Sequence, residues 1–517
     1  MKNYLCLSVL VLGFFSANAC SESNPGQGFA GEGVSSASGV ESTGAGGSDG
    51  VAGSSISDNG QIPAKGSSGT RDAMPNTSGN GGTVIGGADD VSTGGGGGLE
   101  TGGTDGPEIG GTGGLGGTGG VVGRIAPTVR NPKYSSMAPP LGEPLPDATP
   151  GQWTWIQIDG AISRDGSPAG FYYKFSATGD KNLMIYLVGG GACQDFFFCN
   201  NNPPNKDFSL TAESVLGGIA GLIGPDAEPQ DPDFPRWQAG IFKNDPANPV
   251  KDWNMVFIPY VTGDVYAGNR PDAIVPGYPA AVAEVKMQFV GKPNMLKFLA
   301  RIVPTFSDAP IVLLTGSSAG GLGALMNTNE VADSWIDQNK GAHIFVVDDA
   351  GPFFTDQYLE VCLQKRYRDY FNLNDTLPQD CTACFNADGG GITAGYLAYI
   401  IDKYPEGLLG GLIDSATDEI MELFFSDGLN NCDPNNYPVI TYLMYPPGHY
   451  SAALEDLIQN HMQRMSSYVW PGTLHQNLFQ TASGDRFYQT NGLNMTIAEW
   501  LRKLLDGEQV NIGLGGS

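Results

Sequence analysis

Histidine and basic side chains are what this 517-residue chain has least of. It holds four histidines, and 27 Lys and Arg against 54 Asp and Glu, for a formal net charge of −27. So negative a chain is poorly suited to nucleic acid or an anionic membrane surface, whose phosphates need cationic partners. It would also repel a polyanionic glycan unless the cleft were locally neutral. Four histidines make the search for a catalytic base short. They also argue against a metal centre: Cys381-Thr382-Ala383-Cys384 has the spacing of half a zinc site, but no histidine is close in sequence. The same C-x-x-C could be a redox pair, yet no thioredoxin-like pattern surrounds it, so bridging is the favoured reading. No metal and no cofactor are expected. Past the first twenty residues no apolar run is long enough to cross a bilayer.

The apolar run that does occur lies at the start. Lys2 followed by Leu5 to Phe15 has the charge and length of a signal peptide, assigned to residues 1–19. Ala17-Asn18-Ala19-Cys20 reads either as an A-x-A cleavage site or as a lipobox with Ala17 in place of its leucine. Cysteine parity favours the lipobox. Of eight cysteines, Cys6 leaves with the signal and six lie in the folded part, so Cys20 is the odd thiol that a lipid would remove. The expectation is an exported protein anchored by Cys20 in a bacterial cell envelope, or else simply secreted. Residues 20–128 collapse to Gly, Ser, Thr, Asp and Asn and cannot bury enough apolar surface to offset ordering entropy, so they read as a disordered tether. Residues 129–517 read as the folded catalytic domain, which is expected to be monomeric.

Within that domain, Thr154 to Ile158 and Phe171 to Ser176 read as antiparallel starting strands. Leu183 to Val188, Met255 to Pro259, Ala309 to Leu314, His343 to Val347, Leu408 to Ile413 and, last, Ser466 to Trp470 read as further strands. Met295 to Val303 and Asp356 to Phe371 read as helices, and Thr496 with Glu499 forms a capping box for a closing helix with Ile497, Trp500, Leu501 and Leu504 on one face. Strands alternating with helices predict an α/β fold: a mostly parallel central sheet, α/β-hydrolase-like, with helices on both faces and disulfide-stapled insertions.

Thr315-Gly316-Ser317-Ser318-Ala319-Gly320-Gly321 follows an apolar strand and precedes a small-residue helix, which is the context a G-x-S-x-G nucleophile elbow needs. Gly46-Gly47-Ser48-Asp49-Gly50 matches the same pattern, but in a tract with no strand or helix, so Ser48 is a chance match. Ser318 needs a base and an orienting acid, in the chain order Ser, acid, His. His343 falls at a strand start, His461 in the helical Ala452 to Met465 stretch, and His449 in a Pro-Pro-Gly loop. His475 lies beyond the last predicted strand and ranks first as base. Asp418, just past the strand before last, ranks first as acid, with Asp414 and Asp349 as rivals. Gly189-Gly190-Gly191-Ala192 follows another strand, and the amides of Gly190, Gly191 and Ala192 with that of Ala319 suit an oxyanion hole.

Gly189-Gly190-Gly191-Ala192-Cys193 with Cys199, the Gly316 to Gly321 elbow, Asp349-Ala350-Gly351, Ala416-Thr417-Asp418, and Pro259-Tyr260-Val261-Thr262-Gly263-Asp264 together resemble the pectin acetylesterase and Notum family of serine esterases, in its bacterial branch. The resemblance spans about Gln152 to Gly507. It implies an α/β-hydrolase fold, a metal-free Ser-Asp-His triad at Ser318, Asp418 and His475, a Cys193–Cys199 bridge, and hydrolysis of O-acyl esters. Plant members remove acetyl from pectin and the animal member removes a fatty acyl group from a protein. Ala192 stands where the family has tryptophan, and Phe196-Phe197-Phe198 fills the loop between the cysteines. The expected activity is therefore an esterase acting on O-acyl, chiefly O-acetyl, esters of an extracellular glycan. The alternatives are a longer acyl or polyester substrate, or a non-catalytic surface lipoprotein that binds glycan or a protein. The six cysteines of the domain are expected to form three bridges, with the pairing of Cys362, Cys381, Cys384 and Cys432 open.

Overall fold

A computed structural model describes residues 126–194, 198–199, 238–275, 284–338, 341–433, 445–478 and 485–514. The expected signal segment, Cys20 and the tether as far as residue 125 lie outside the described residues, as do Phe196 and Phe197. Thr128 lies near the start of the described residues. That residue is buried, its N–H donates to the Ala342 carbonyl (2.9 Å) and its hydroxyl to that of Gly407 (2.8 Å).

Nine strands form one sheet in the order β1-β2-β4-β3-β7-β8-β9-β10-β11. They are β1 Thr154–Ile162, β2 Pro168–Lys174, β3 Leu183–Leu187, β4 Asn254–Ile258, β7 Ile311–Ser317, β8 His343–Asp349, β9 Leu408–Ser415, β10 Met465–Trp470 and β11 Asn511–Ile512. Only β2 runs against its neighbours β1 and β4; every other adjacent pair is parallel. This is the α/β-hydrolase arrangement the alternation of elements predicts. Two features differ from the sequence reading. The sheet continues past β10 into the two-residue β11, too short for periodicity to reveal. A separate hairpin, β5 Arg270–Val275 with β6 Val285–Phe289, was not predicted. Pro271 and Asp272 break the apolar pattern of β5, and its exposed positions remove the burial signal.

Burial on both faces explains why the central strands read as continuous apolar runs rather than alternating ones. In β3, Leu183, Ile185 and Leu187 enter one core layer, while Met184 and Tyr186 enter the other. Val312 and Leu314 of β7 and Ile344 and Val346 of β8 join the first layer, and Leu313, Phe345 and Val347 the second. The first layer is thick, built from helices Gly291–Thr305, Ala319–Met326, Thr328–Gln338, Val361–Phe371, Ile392–Lys403 and Glu419–Ser426. The second is thinner and is closed by helix Ile497–Leu505, which buries Ile497, Trp500, Leu501 and Leu504. Its start carries the expected capping box, with the Thr496 hydroxyl accepting from the Glu499 N–H and the Glu499 carboxylate accepting from the Thr496 N–H.

Among the described residues, three disulfides join Cys193 to Cys199, Cys362 to Cys432 and Cys381 to Cys384. The C-x-x-C pair is thus a bridge within the insertion that follows β8. Because β3, β7, β8, β9 and β10 are parallel, their carboxyl ends fall on one edge of the sheet. The loops that leave them carry Gly189 to Ala192, Ser318, Ala350, Asp418 and His475. Ligands of open α/β sheets bind at this edge.

Candidate active site

Ser318 joins β7 to helix Ala319–Met326 with φ 58° and ψ −127°, a backbone conformation that side chains rarely adopt. The surroundings hold it there: its N–H donates to the Asp349 carbonyl at 2.6 Å, and its carbonyl accepts from the Leu322 N–H at 3.1 Å. Close packing sets the glycines around it. A Cβ on Gly320 would stand 2.0 Å from the Leu187 carbonyl oxygen, so only glycine lets the helix sit this near β3. Ser318 is 5% exposed and opens onto an apolar pocket.

The loops that carry Asp418 and His475 are zipped together by main-chain bonds that extend the β9–β10 pairing. Ala416 N–H donates to Trp470 (2.7 Å), Thr417 to Gly472 (3.0 Å) and Glu419 to Thr473 (3.2 Å). They bring His475 Nδ1 to 2.7 Å from Asp418 Oδ2, across 57 residues of sequence. Asp418 is fully buried and its two oxygens divide the work. Oδ1 caps helix Glu419–Ser426 by accepting from Ile420 (3.0 Å) and Met421 (2.9 Å), which aims Oδ2 at the imidazole. Gly189 links this loop to the elbow: a Cβ there would lie 2.8 Å from the Ser318 Cβ and 2.9 Å from Gln476 Nε2.

The other histidines are elsewhere. His343 starts β8, at the opposite end of the sheet, with Nδ1 3.0 Å from the Ala126 carbonyl. His449 packs against Tyr358 and Tyr445, and His461 Nε2 is 3.7 Å from Asp456. Of the rival acids, Asp414 is turned to the Tyr450 hydroxyl (2.9 Å) and the Ser415 N–H (2.7 Å). Burial, and then the neighbouring Asp418, push its carboxyl well above the usual range. Asp349 is also raised by burial, against bonds from Ser317, Leu478 and Asn477. Its carboxylate accepts from the N–H groups of Asn477 (2.9 and 3.0 Å) and Leu478 (2.9 Å) rather than from the imidazole.

Gly191, Ala192 and Ala319 line the pocket with Ser318. Gly191 has φ 74°, and Ala319 is the first residue of its helix, where an N–H has no intrahelical acceptor. Gly190 is not among the lining residues; it packs against the Tyr260 ring, which a Cβ would meet at 2.7 Å. The Cys193 N–H anchors the loop to the Gly263 carbonyl at 2.8 Å.

The pocket holds a cavity of about 40 Å³. Its walls include Val265, Leu322, Met326, Phe353, Phe424 and Phe425, and Phe198 stacks on Phe424 at 4.4 Å. The sequence reading named none of these six as walls. They come from four separate segments with no common motif, so nothing local marks them. Asn477 and Arg486 were missed for the same reason. Among the described residues no group of three or more His, Cys, Asp or Glu could hold a metal ion.

A model of the pectinacetylesterase family matches residues 152–404. The palmitoleoyl-protein carboxylesterase notum1 of Xenopus laevis is 32% identical over 171 residues, 33% of this chain and 30% of that protein. Pectin acetylesterase 5 of Arabidopsis thaliana is 26% identical over 231 residues, 43% of this chain and 48% of that protein. The chain thus spans under half the length of either. A solved structure of the Wnt deacylase Notum from Drosophila superposes with a TM-score of 0.48 at 19% identity, covering 70% of this chain and 95% of that one. The family match takes in the glycine loop and the elbow and ends before Asp418 and His475. By that match, the segment from Gln152 to Tyr404 is similar to the pectinacetylesterase family.

Proposed function

We propose that the chain is a serine carboxylesterase in which Ser318, His475 and Asp418 hydrolyse esters whose acyl group enters the apolar pocket. The observation that carries this reading is the His475–Asp418 contact of 2.7 Å in the loops beside a strained, buried Ser318. His475 Nε2 takes the proton as Ser318 Oγ attacks the acyl carbonyl. The bond to the alcohol then breaks, and the imidazolium returns its proton to the leaving oxygen. Asp418 holds the Nδ1–H tautomer and stabilises the imidazolium. The amides of Ala319 and of the Gly190–Ala192 loop receive the developing oxyanion. Water then repeats the sequence on the acyl-enzyme and frees the acid.

The pocket favours an acyl chain longer than acetyl. Its walls are apolar, as an aliphatic chain requires, and Ala192 leaves open the space a tryptophan would fill. The decisive experiment is Ser318-dependent turnover of nitrophenyl acetate, butyrate and octanoate. A rising kcat/KM with chain length supports the reading. A preference for acetate would return the substrate to acetylated glycan, and absence of any Ser318-dependent turnover or fluorophosphonate labelling would leave a binding protein.

The three disulfides fit export to an oxidising compartment. Residues 1–19 would act as the signal, Cys20 as the lipid anchor, and the Gly/Ser/Thr-rich segment as a tether. Palmitate label present on the native chain and lost in Cys20→Ala would support anchoring; equal label on both would end it.

A further inference from the structure

The loop that presents His475 is gripped from both sides by buried charged side chains. On one side is Asp349, fully buried at the end of β8. Its carboxylate accepts from the Asn477 and Leu478 N–H groups, from Asn477 Nδ2 at 3.3 Å and from the Ser317 hydroxyl. Its main-chain carbonyl is the acceptor for the Ser318 N–H. One residue therefore holds both the nucleophile's backbone and the base loop, 128 positions away in sequence.

On the other side is Arg486, 2% exposed, with its guanidinium 4.3 Å from the Trp470 ring centroid. Its Nη1 reaches the carbonyls of Gln476 (3.4 Å) and Leu474 (3.5 Å), which flank His475, and donates to Asn477 Oδ1 at 2.9 Å. Asn477 thus spans the anion and the cation, its oxygen on Arg486 and its nitrogen on Asp349. Between them Gln476 takes φ 64°, a left-handed conformation that costs energy for a non-glycine residue and persists only where contacts over-determine it.

We propose that Asp349 and Arg486, bridged by Asn477, form a clamp that fixes the register of the His475 loop against the Ser318 elbow, and that all three are positioning residues for the esterase reaction. The inference rests on the reading of Ser318 and His475 as nucleophile and base. Its physical content is directional: the anion takes the N–H edge of the loop, the cation takes the C=O edge, and the strained Gln476 turn is trapped between. A misplacement of about 1 Å far from the chemistry can cost on the order of 10²-fold in rate.

The test uses the full chain, with active sites counted by fluorophosphonate titration and turnover read on nitrophenyl butyrate. Asp349→Asn should lower kcat about 100-fold while KM stays within about two-fold, because the pocket that binds the acyl chain is untouched. Asn477→Ala, which leaves both charges and the main-chain bonds in place, should lower kcat about ten-fold with the same unchanged KM. Since the two residues act as one unit, Asp349→Asn combined with Arg486→Gln should lose little more than the worse single variant. Hydrogen exchange gives a readout that does not depend on activity: the Asn477 and Leu478 amides should be protected in the native chain and exposed in Asp349→Asn. Native kcat per titrated site in both Asp349→Asn and Asn477→Ala would overturn the clamp, as would unchanged protection of those amides. If Asp349→Asn does not fold, Asn477→Ala decides alone. An inactive native chain whose amides still lose protection in Asp349→Asn would sink the esterase reading and keep the clamp as a structural device.

Discussion

The two sides of Ser318 are built on opposite principles. Toward His475 the site is polar and bonded many times over: Asp418 serves both a helix cap and the imidazole, and Asp349 and Arg486 hold the loop edges. Toward the pocket the walls are mostly packed apolar side chains, such as Phe424, Phe425, Met326 and Leu322. The difference teaches what each side tolerates. Hydrogen bonds in a buried setting have narrow optima and leave costly orphans when cut, whereas an apolar wall accepts changes of shape at the cost of packing. On the proposed reading, chemistry falls to the bonded side and the choice of acyl group to the adaptable one.

The sharpest way to break the polar side is at its proposed reacting groups. Ser318→Ala or His475→Ala should cut kcat by about 10⁶-fold, and Asp418→Asn by about 10⁴-fold through loss of the tautomer, with circular dichroism unchanged. Near-native turnover of a nitrophenyl ester by Asp418→Asn would force reassignment of the acid.

The apolar side should answer differently. Phe424→Ala removes a buried ring and should destabilise the fold by about 3 kcal/mol. It should leave the rate on short esters within a few-fold and move the preferred acyl chain to greater length. Thermal or denaturant unfolding together with the chain-length series would check both; a collapse of kcat on every ester alike would mean that the two sides are not separable.

Glu422 lies on the helix that both sides share, the one capped by Asp418 and bearing Met421, Phe424 and Phe425. Burial first, then Asp418 and Glu419, raise its carboxyl from its usual 4.5 to about 7. A carboxyl raised on folding binds its proton more tightly in the native state, so stability should fall as pH climbs from 4.5 to 7. Glu422→Gln should flatten that part of the stability profile, and an unchanged slope in denaturant titrations at several pH values would show that the charge is screened. The smallest effect belongs to Thr496→Ala, at the cap of the closing helix on the far face. It should cost about 1 kcal/mol and leave kcat untouched, which calibrates the losses at the site against simple destabilisation.

What could be read from the sequence was local. The elbow at Ser318 was legible because strand, turn and helix are contiguous, and glycines mark where backbone must meet backbone. The eight strands of the sheet that were predicted were legible because burial on two faces leaves an apolar run. β5 escaped because Pro271 and Asp272 interrupt it, and β11 because two residues carry no period. Asp418 and His475 could be ranked only by their order among loops; the 2.7 Å contact between them depends on the β9–β10 pairing.

By itself the sequence determined the kind of fold and the residue that stands at its elbow, because both follow from the spacing of apolar and glycine residues along a short stretch. Only the tertiary structure decided that Asp349 grips the Asn477 and Leu478 amides, that Arg486 reaches the carbonyls on the other edge of that loop, and that several distant segments line one apolar pocket. Those choices depend on where the chain returns after tens of residues, and a carboxylate or a phenylalanine has the same local signature wherever it ends up.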